Sequence, residues 1–372
     1  MEQTELTFIF TGDIHMSNRL PYARPTTNGL TDRLEDQLKL WDRIRFEVIE
    51  RGADGLVVMG DLFDKAWLDP VTLTETVKVI QMIAELCPVY VLPGNHDAST
   101  TKGGRFNVEA LASLDNVTCL GAESFTPNGV SWLKFWPVPY AGIESNKETL
   151  TEYRAQLEEE GESTQQVCLF HNNVYGCKHL AWVCDDGIDA DELCEGWDVV
   201  LSGHFHTHQS FGDCGMYLGA PMQHHFGDRG EKRGIWSFTF RKKKPVVKEF
   251  IPTELPRFWK LLRLKTPAHA AEGDYVRFEI EATHADWELQ RHTAASLCGA
   301  LNDFGIHATY KHKPVYHHEE RMVSGDDLET ISMEEMTGRY VDSKEVVTGE
   351  MDKELLKMLG REFMEEARRE AK

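Results

Sequence analysis

Apolar residues recur along the first half of the chain with two alternating periods. Short apolar runs of strand length occur in "LTFIFTGDIH" (6–15), "DGLVVMGD" (54–61), "VYVLPGNHD" (89–97), "VCLFHNN" (167–173) and "WDVVLSGHFH" (197–206). Between the early runs, Leu34, Leu38, Trp41, Ile44 and Val48 fall at helical spacing, and 71–86 reads as a second helix. Strands that alternate with helices predict an α/β layered fold. From 211 to 251 the pattern changes to short β segments ("MYLGAP", "GIWSFTF", "VVKEFI"), as a second sheet would show. Pro252 and Pro256 mark a boundary. Residues 257–316 then read β-β-α-β, through "FWKLLRLK", "DYVRFEIEA", a helix at 286–304 and "HATYKHKPVY". Three domains follow from this pattern: 1–252, 257–316, and a linker with two short helices (332–342 and 351–370) over 317–372.

Polar residues close each of the early strands. They are Asp13 and His15, Asp61 and Asp64, Asn95 to Asp97, His171, and then His204 and His206. In open α/β sheets ligands bind at the carboxyl ends of strands. A single Gly-Asp after a strand is usually just a turn, but five such edges carrying Asp, Asn and His are poorly explained by turns. Neutral imidazole is the commonest protein metal ligand, so the three histidines of "GHFHTH" suggest a metal. Carboxylate, amide oxygen and imidazole without a thiolate motif suit two hard-to-borderline divalent cations, manganese or iron. Asp61, at the edge of the middle strand, is placed to bridge two ions.

Composition narrows the class. The chain has 372 residues, 41% of them hydrophobic and 27% charged, which is ordinary globular composition. No apolar run approaches the roughly 20 residues of a membrane span, and acidic Glu2 and Glu5 replace the basic start of a signal peptide, so a soluble cytoplasmic protein is expected. The eight cysteines form no CxxC pair and read as buried small hydrophobes rather than a zinc site. A net charge of −21 argues against a simple nucleic-acid binder. Residues 317–372 hold 9 Lys+Arg and 16 Asp+Glu, so 9 − 16 = −7 of that charge belongs to the tail.

Taken together, "GDIH", "GDLFD", "GNHD", the isolated His171 and "GHFH" resemble the calcineurin-like metallophosphoesterase superfamily over residues 6–210. The resemblance implies a four-layer α/β/β/α sandwich with a small β-β-α-β capping domain and C-terminal helices. It implies one metal held by Asp13, His15, Asp61 and His206, and a second held by Asp61, Asn95, His171 and His204. By the same resemblance His96 is the catalytic histidine, with Asp97 orienting its ring, and Asp64 supports the ligands. Phe205 then faces the apolar side. His208 matches no ligand position and reads as a supporting or surface residue. The passage "GHFHTHQ…YLGAPMQHHFGDRGEKRGIWSF" further resembles the DNA-repair nucleases, SbcD and its relatives, and the small subunit of phage recombination endonucleases. Ala220 stands where those relatives often have Ser. Asp64 is shared with the bacterial and phage branch. This closer resemblance implies a manganese-dependent DNA nuclease, a homodimer through helices 34–51 and 71–86, and an SMC-like coiled-coil ATPase partner. The tail stripe Met351, Leu355, Met358, Leu359 and Phe363 would dock either on that partner or on the chain's own core. The alternatives are a small-molecule or cyclic-nucleotide phosphodiesterase, or a scaffold that binds DNA and the ATPase without catalysis.

Overall fold

The computed structural model describes residues 3–100, 104–158, 164–179, 182–228 and 232–315. In chain order the elements are β1 (Glu5–Thr11), α1 (Asp32–Arg51), β2 (Gly55–Met59), α2 (Pro70–Ala84), β3 (Val89–Leu92), β4 (Val117–Cys119), β5 (Leu133–Val138), α3 (Ile143–Leu157) and β6 (Gln165–His171). They continue with β7 (Lys178–His179), β8 (Trp182–Val183), α4 (Ala190–Cys194), β9 (Val199–Gly203), β10 (Gln209–Phe211), β11 (Gly215–Tyr217), β12 (Gly234–Arg241) and β13 (Lys244–Pro252). Last come β14 (Phe258–Leu261), β15 (Tyr275–Ala282), α5 (His284–Asp303) and β16 (His307–Pro314). The two tail helices expected at 332–342 and 351–370 lie outside the described residues.

Two mixed sheets stack face to face. One has the order β13-β12-β1-β2-β3-β4 and the other β10-β11-β9-β6-β5. Neighbours from β1 to β4 are parallel, as are β5, β6, β9 and β11, while β12 runs antiparallel to β1. Alternate residues of each run serve different layers. Phe8, Phe10, Val57, Met59, Phe135, Leu169 and Leu201 fill the space between the sheets. Ile9, Leu56, Val58 and Val91 meet Leu40, Trp41, Ile44, Ile80 and Ile83 of α1 and α2. On the opposite outer face, Trp136, Cys168, Phe170 and Val200 meet Leu150, Tyr153 and Leu193 of α3 and α4. Both faces of each central strand are therefore dry, which is why these strands read as continuous apolar runs instead of alternating ones. The architecture is the expected four-layer α/β/β/α sandwich.

Local signals start and stop the helices. Thr31 accepts from Leu34 N at the start of α1, and Gly52 closes that helix in the left-handed conformation. Asp69 accepts from the amides of Val71 and Thr72 at the start of α2, with Pro70 in its first turn. Strands β14, β15 and β16 form a three-stranded sheet, with β14 parallel to β15. Residues up to Ile280, together with Gln290–His312, make one compact unit. Glu281–Leu289 and, among the described residues, 313–315 belong to a second. In that second unit Thr283 caps α5, donating to Asp286 Oδ2 at 2.7 Å and accepting from its amide at 3.1 Å. Among the described residues no helix is long and apolar enough to cross a membrane.

Candidate metal centre

Parallel strands place the motif residues on one edge of the sandwich. Asp13 and His15 follow β1, Asp61 follows β2, and Asn95 follows β3. His171 ends β6, and His204 and His206 follow β9. The backbone there is strained: Asp13 (φ 52°), His15 (φ 54°), Asp61 (φ 48°) and His204 (φ 92°) all adopt the left-handed region. Non-glycine residues pay for that conformation, and they keep it where the surrounding structure imposes it. Two motif glycines allow the close approach. A Cβ on Gly60, itself at φ 89°, would strike the His171 ring, and one on Gly94 would strike the Asp61 carboxylate.

The side chains converge in two groups. In the first, His15 Nε2 and His206 Nε2 are 3.1 Å apart, and His15 Nε2 lies 3.8 Å from Asp61 Oδ2. Two ring nitrogens at that distance share either a proton or a cation. Adjacent donors on one ion, with bonds of about 2.1 Å, stand about 3 Å apart. In the second group His171 Nε2 lies 3.4 Å from Asp61 Oδ1 and 3.2 Å from Asn95 Oδ1. His204 Nδ1 lies 2.7 Å from the same Asn95 oxygen. Asp61 thus presents one oxygen to each group. Asp13, His15 and Asp61 could hold one ion, and Asp61, His171 and His204 another, by the spacing of their donor atoms. The donor set fits divalent cations on a further ground: Asp13 Oδ2 is buried with no hydrogen-bond partner, a costly state that a cation would relieve.

Outer hydrogen bonds aim the rings. His171 Nδ1 donates to Met59 O (2.7 Å), which turns Nε2 inward, where it can take a metal in exchange for its proton. His204 Nε2 meets Asn173 Oδ1 at 2.8 Å, which leaves Nδ1 inward. His206 Nδ1 faces both oxygens of Asp228 at 3.3 and 3.4 Å, which leaves Nε2 inward. Metal-binding histidines are oriented by this kind of partner.

Electrostatics follow from packing so many groups out of water. Burial pushes Asp13 up to about 6 against the pull of His171 and His206. Burial would also raise Asp61, but His171, together with His15 and His96, outweighs it and holds that carboxyl well below its ordinary value. Burial would lower His171, yet Asp61 carries it up to about 9. His204, half-buried, loses much of its hydration and sits beside cationic His171, and so falls to about 3. Cationic charge is held at the centre of the cluster even without metal, and a divalent ion would replace that proton.

The other singled-out residues are placed as follows. His96 is exposed, and its ring Nδ1 lies 2.7 Å from Asp64 O. Its amide donates to Asp61 Oδ1 at 2.8 Å. The expectation that Asp97 orients the His96 ring is corrected. Consecutive side chains diverge here, so Asp97 turns inward, fully buried, and accepts from Phe63 N (3.0 Å) and Gly94 N (2.9 Å). Burial, and then the Asp61 charge, push its carboxyl up to about 7. It braces the loops that carry Asp61 and Asn95, and the Asp64 carbonyl holds the ring. Asp64 Oδ1 also lies 3.6 Å from His15 Nδ1. Phe205 is buried and stacks on Tyr217 at 4.7 Å. His208 points away from the cluster, bonded to Tyr217 O at 2.8 Å and lying against Trp236.

Three residues escaped the sequence reading: Asn173, His224 and Asp228. His224 is buried, donates from Nε2 to Asp13 O (2.8 Å) and lies edge-on to the His15 ring. Their signals were faint, an Asn after His171 and a His pair in "MQHHFGD". The cleft above the cluster has a volume of about 370 Å³ and is lined by Asn95, His96, Trp182, His204 and His206 among others. Among the described residues the groups with metal-ligand spacing contain no cysteine.

Comparison with known proteins agrees with this geometry. The chain is 28% identical over 272 residues to the candidate phosphoesterase 078R of Invertebrate iridescent virus 3, covering 70% of this chain and 75% of the viral one. It is 25% identical over 224 residues to a second such protein, 244L of Invertebrate iridescent virus 6, covering 59% and 75%. Similarity to the DNA double-strand break repair protein Mre11 of Methanopyrus kandleri is 24% over 267 residues, 66% of this chain and 56% of the relative, so the chain spans little more than half of that protein. Residues 6–208 match the calcineurin-like phosphoesterase family, and the chain belongs to it.

Proposed function

We propose that this protein is a two-metal phosphodiesterase that cuts DNA inside a bacterial or phage-infected cell, as the nuclease subunit of an SbcCD-like repair or recombination complex. The observation that carries the two-metal reading is Asp61, with one oxygen toward His15 and the other toward His171. The DNA reading is supported by the similarity to Mre11 and by the passage from Gly203 to Phe238. Asp13, His15, Asp61 and His206 would hold one ion, and Asp61, Asn95, His171 and His204 the other. Manganese suits the oxygen and imidazole donors.

Divalent ions held by these residues would activate water at neutral pH and neutralise charge on the phosphoryl oxygens. The chain's own residues do the rest. Asn95 and His96 present their side chains to the cleft from the loop after β3. With Nδ1–H given to the Asp64 carbonyl, His96 turns Nε2 to the cleft; as an imidazolium, protonated on both nitrogens, it gives its Nε2 proton to the departing oxygen and is left as the neutral ring that keeps Nδ1–H. Purified protein should degrade DNA with manganese and be inert with EDTA. A metal-loaded sample that ignores every DNA but turns over cyclic or dinucleotide substrates would transfer the reading to a small-molecule phosphodiesterase.

Partners belong to the same proposal. Phe46 and Ile49 on α1 and Met82 on α2 are exposed, which supports a homodimer through these helices. Light scattering should show a dimer that Ile49→Glu converts to a monomer. The tail from 317 to 372, outside the described residues, would dock an SMC-like coiled-coil ATPase. Deleting 332–372 should then leave basal manganese-dependent cleavage intact and abolish ATP-stimulated work on duplex DNA.

A further inference from the structure

A buried hydrogen-bonded chain runs from the three-stranded layer to the donor group around His15, and Gln223 is its junction. Three polar atoms of Gln223 are engaged in different directions. Its Oε1 accepts from Phe258 N on β14 at 2.6 Å. Its Nε2 donates to Asp228 O at 2.9 Å. Its own carbonyl accepts from Arg33 Nη2 at 2.6 Å. Asp228, buried in the same turn, accepts from His224 N at 2.8 Å and turns its carboxylate to His206 Nδ1. Arg233 closes the loop by donating to Asp228 O and to His206 O.

Aromatic rings pack the seat at the other end. Phe258 stacks on Tyr275 with ring centroids 4.6 Å apart, and Phe226 meets Phe258 edge-on at 5.0 Å. The fully buried guanidinium of Arg33 lies 5.1 and 5.4 Å from the Phe258 and Tyr275 rings. A permanent charge out of water needs partners that fix its geometry, and here they are the two rings, the Gln223 carbonyl and Asp36 Oδ2, 3.6 Å from Nη1. That geometry includes the Gln223 carbonyl. If β14 leaves its seat, Gln223 loses one of its three anchors and its Nε2 is no longer fixed against Asp228 O, so only Arg233 and the His224 amide hold the turn that aims the Asp228 carboxylate at the His206 ring.

We propose that Gln223 is a positioning residue that couples the seating of β14 to the orientation of His206. Seating of the β14–β15 layer thereby sets metal affinity. Coupling between two binding events is reciprocal, so metal must also tighten the seat. The inference rests on the reading of His206 as a metal donor.

The test uses the full chain, with manganese as the probe and two readouts. Calorimetric titration reads manganese affinity, and hydrogen exchange reads protection of the Phe258 amide. In the unaltered protein manganese should slow exchange at Phe258. Gln223→Met should weaken manganese binding about tenfold, the low end of what removing an outer-shell partner costs, and should abolish the manganese-dependent protection. Gln223→Glu keeps the acceptor for Phe258 N but sets a carboxylate oxygen against Asp228 O. It should keep Phe258 protected without metal and lose the response to metal, and it carries the test if Gln223→Met does not fold. Folded variants that bind manganese as tightly as the unaltered chain, or a Phe258 amide indifferent to manganese in the unaltered protein, would overturn the coupling. An unaltered chain that binds no manganese at all would instead overturn the reading of His206 as a donor.

Discussion

At the scale of single residues, holding ions and moving protons are assigned to different side chains, and substitution can separate them. Asp61 faces both donor groups, so Asp61→Asn should release metal from both and abolish activity, as elemental analysis of the purified variant would show. His96 touches Asp61 only through its amide. His96→Asn should keep both ions and DNA affinity while slowing turnover by about 10²–10⁴, the usual worth of a positioned acid–base group. A metal-free His96→Asn would undo that separation. The glycine before Asp61 is a third check. Gly60→Ala adds a methyl at φ 89° against the His171 ring. It should cost about 1–3 kcal/mol in denaturant unfolding, the scale of local backbone strain, together with loss of metal binding.

At the scale of elements, legibility followed burial on both faces. The runs ending at Asp13, Asp61, Asn95, His171 and His204 are apolar throughout because helices cover one side and the second sheet the other. Strand β5 and helix α3 were not singled out, for physical reasons. Strand β5 carries Lys134 and Pro137 within "LKFWPV", and Pro is a poor strand residue away from edges. It is the edge strand of its sheet. Helix α3 buries only Asn146, Leu150 and Tyr153, too few positions for a clear period. Helix α2 announces itself by Asp69 and Pro70, and Asp69→Ala should lower stability by about 1 kcal/mol, the typical worth of an N-cap. Thermal unfolding followed by circular dichroism would measure it.

At the scale of the whole molecule, the acidic cluster makes stability depend on cations. Asp13 and Asp61 are buried side by side with Asp97 behind them, in a chain of net charge −21. Ions bound only by the folded form stabilise it by mass action, about 2.7 kcal/mol per site at a hundredfold excess over Kd. Scanning calorimetry should show Tm rising with manganese and falling on EDTA treatment. A Tm indifferent to both would mean that the cluster holds no ion with useful affinity.

The strands that carry the ligands, the two helices α1 and α2 between them, and the motif side chains at those strand ends were determined by the sequence alone. Period and motif are local, and the carboxyl edge of a parallel sheet collects whatever follows each strand. Tertiary structure decided what lies across the fold from each ligand. It set Asp228 behind His206, Asn173 behind His204, and the Asp64 carbonyl, not Asp97, behind His96. Those partnerships depend on which way a loop turns and on which of two consecutive side chains goes inward. Such choices are settled by burial and hydrogen-bond closure between segments far apart in the chain, and no local pattern carries them.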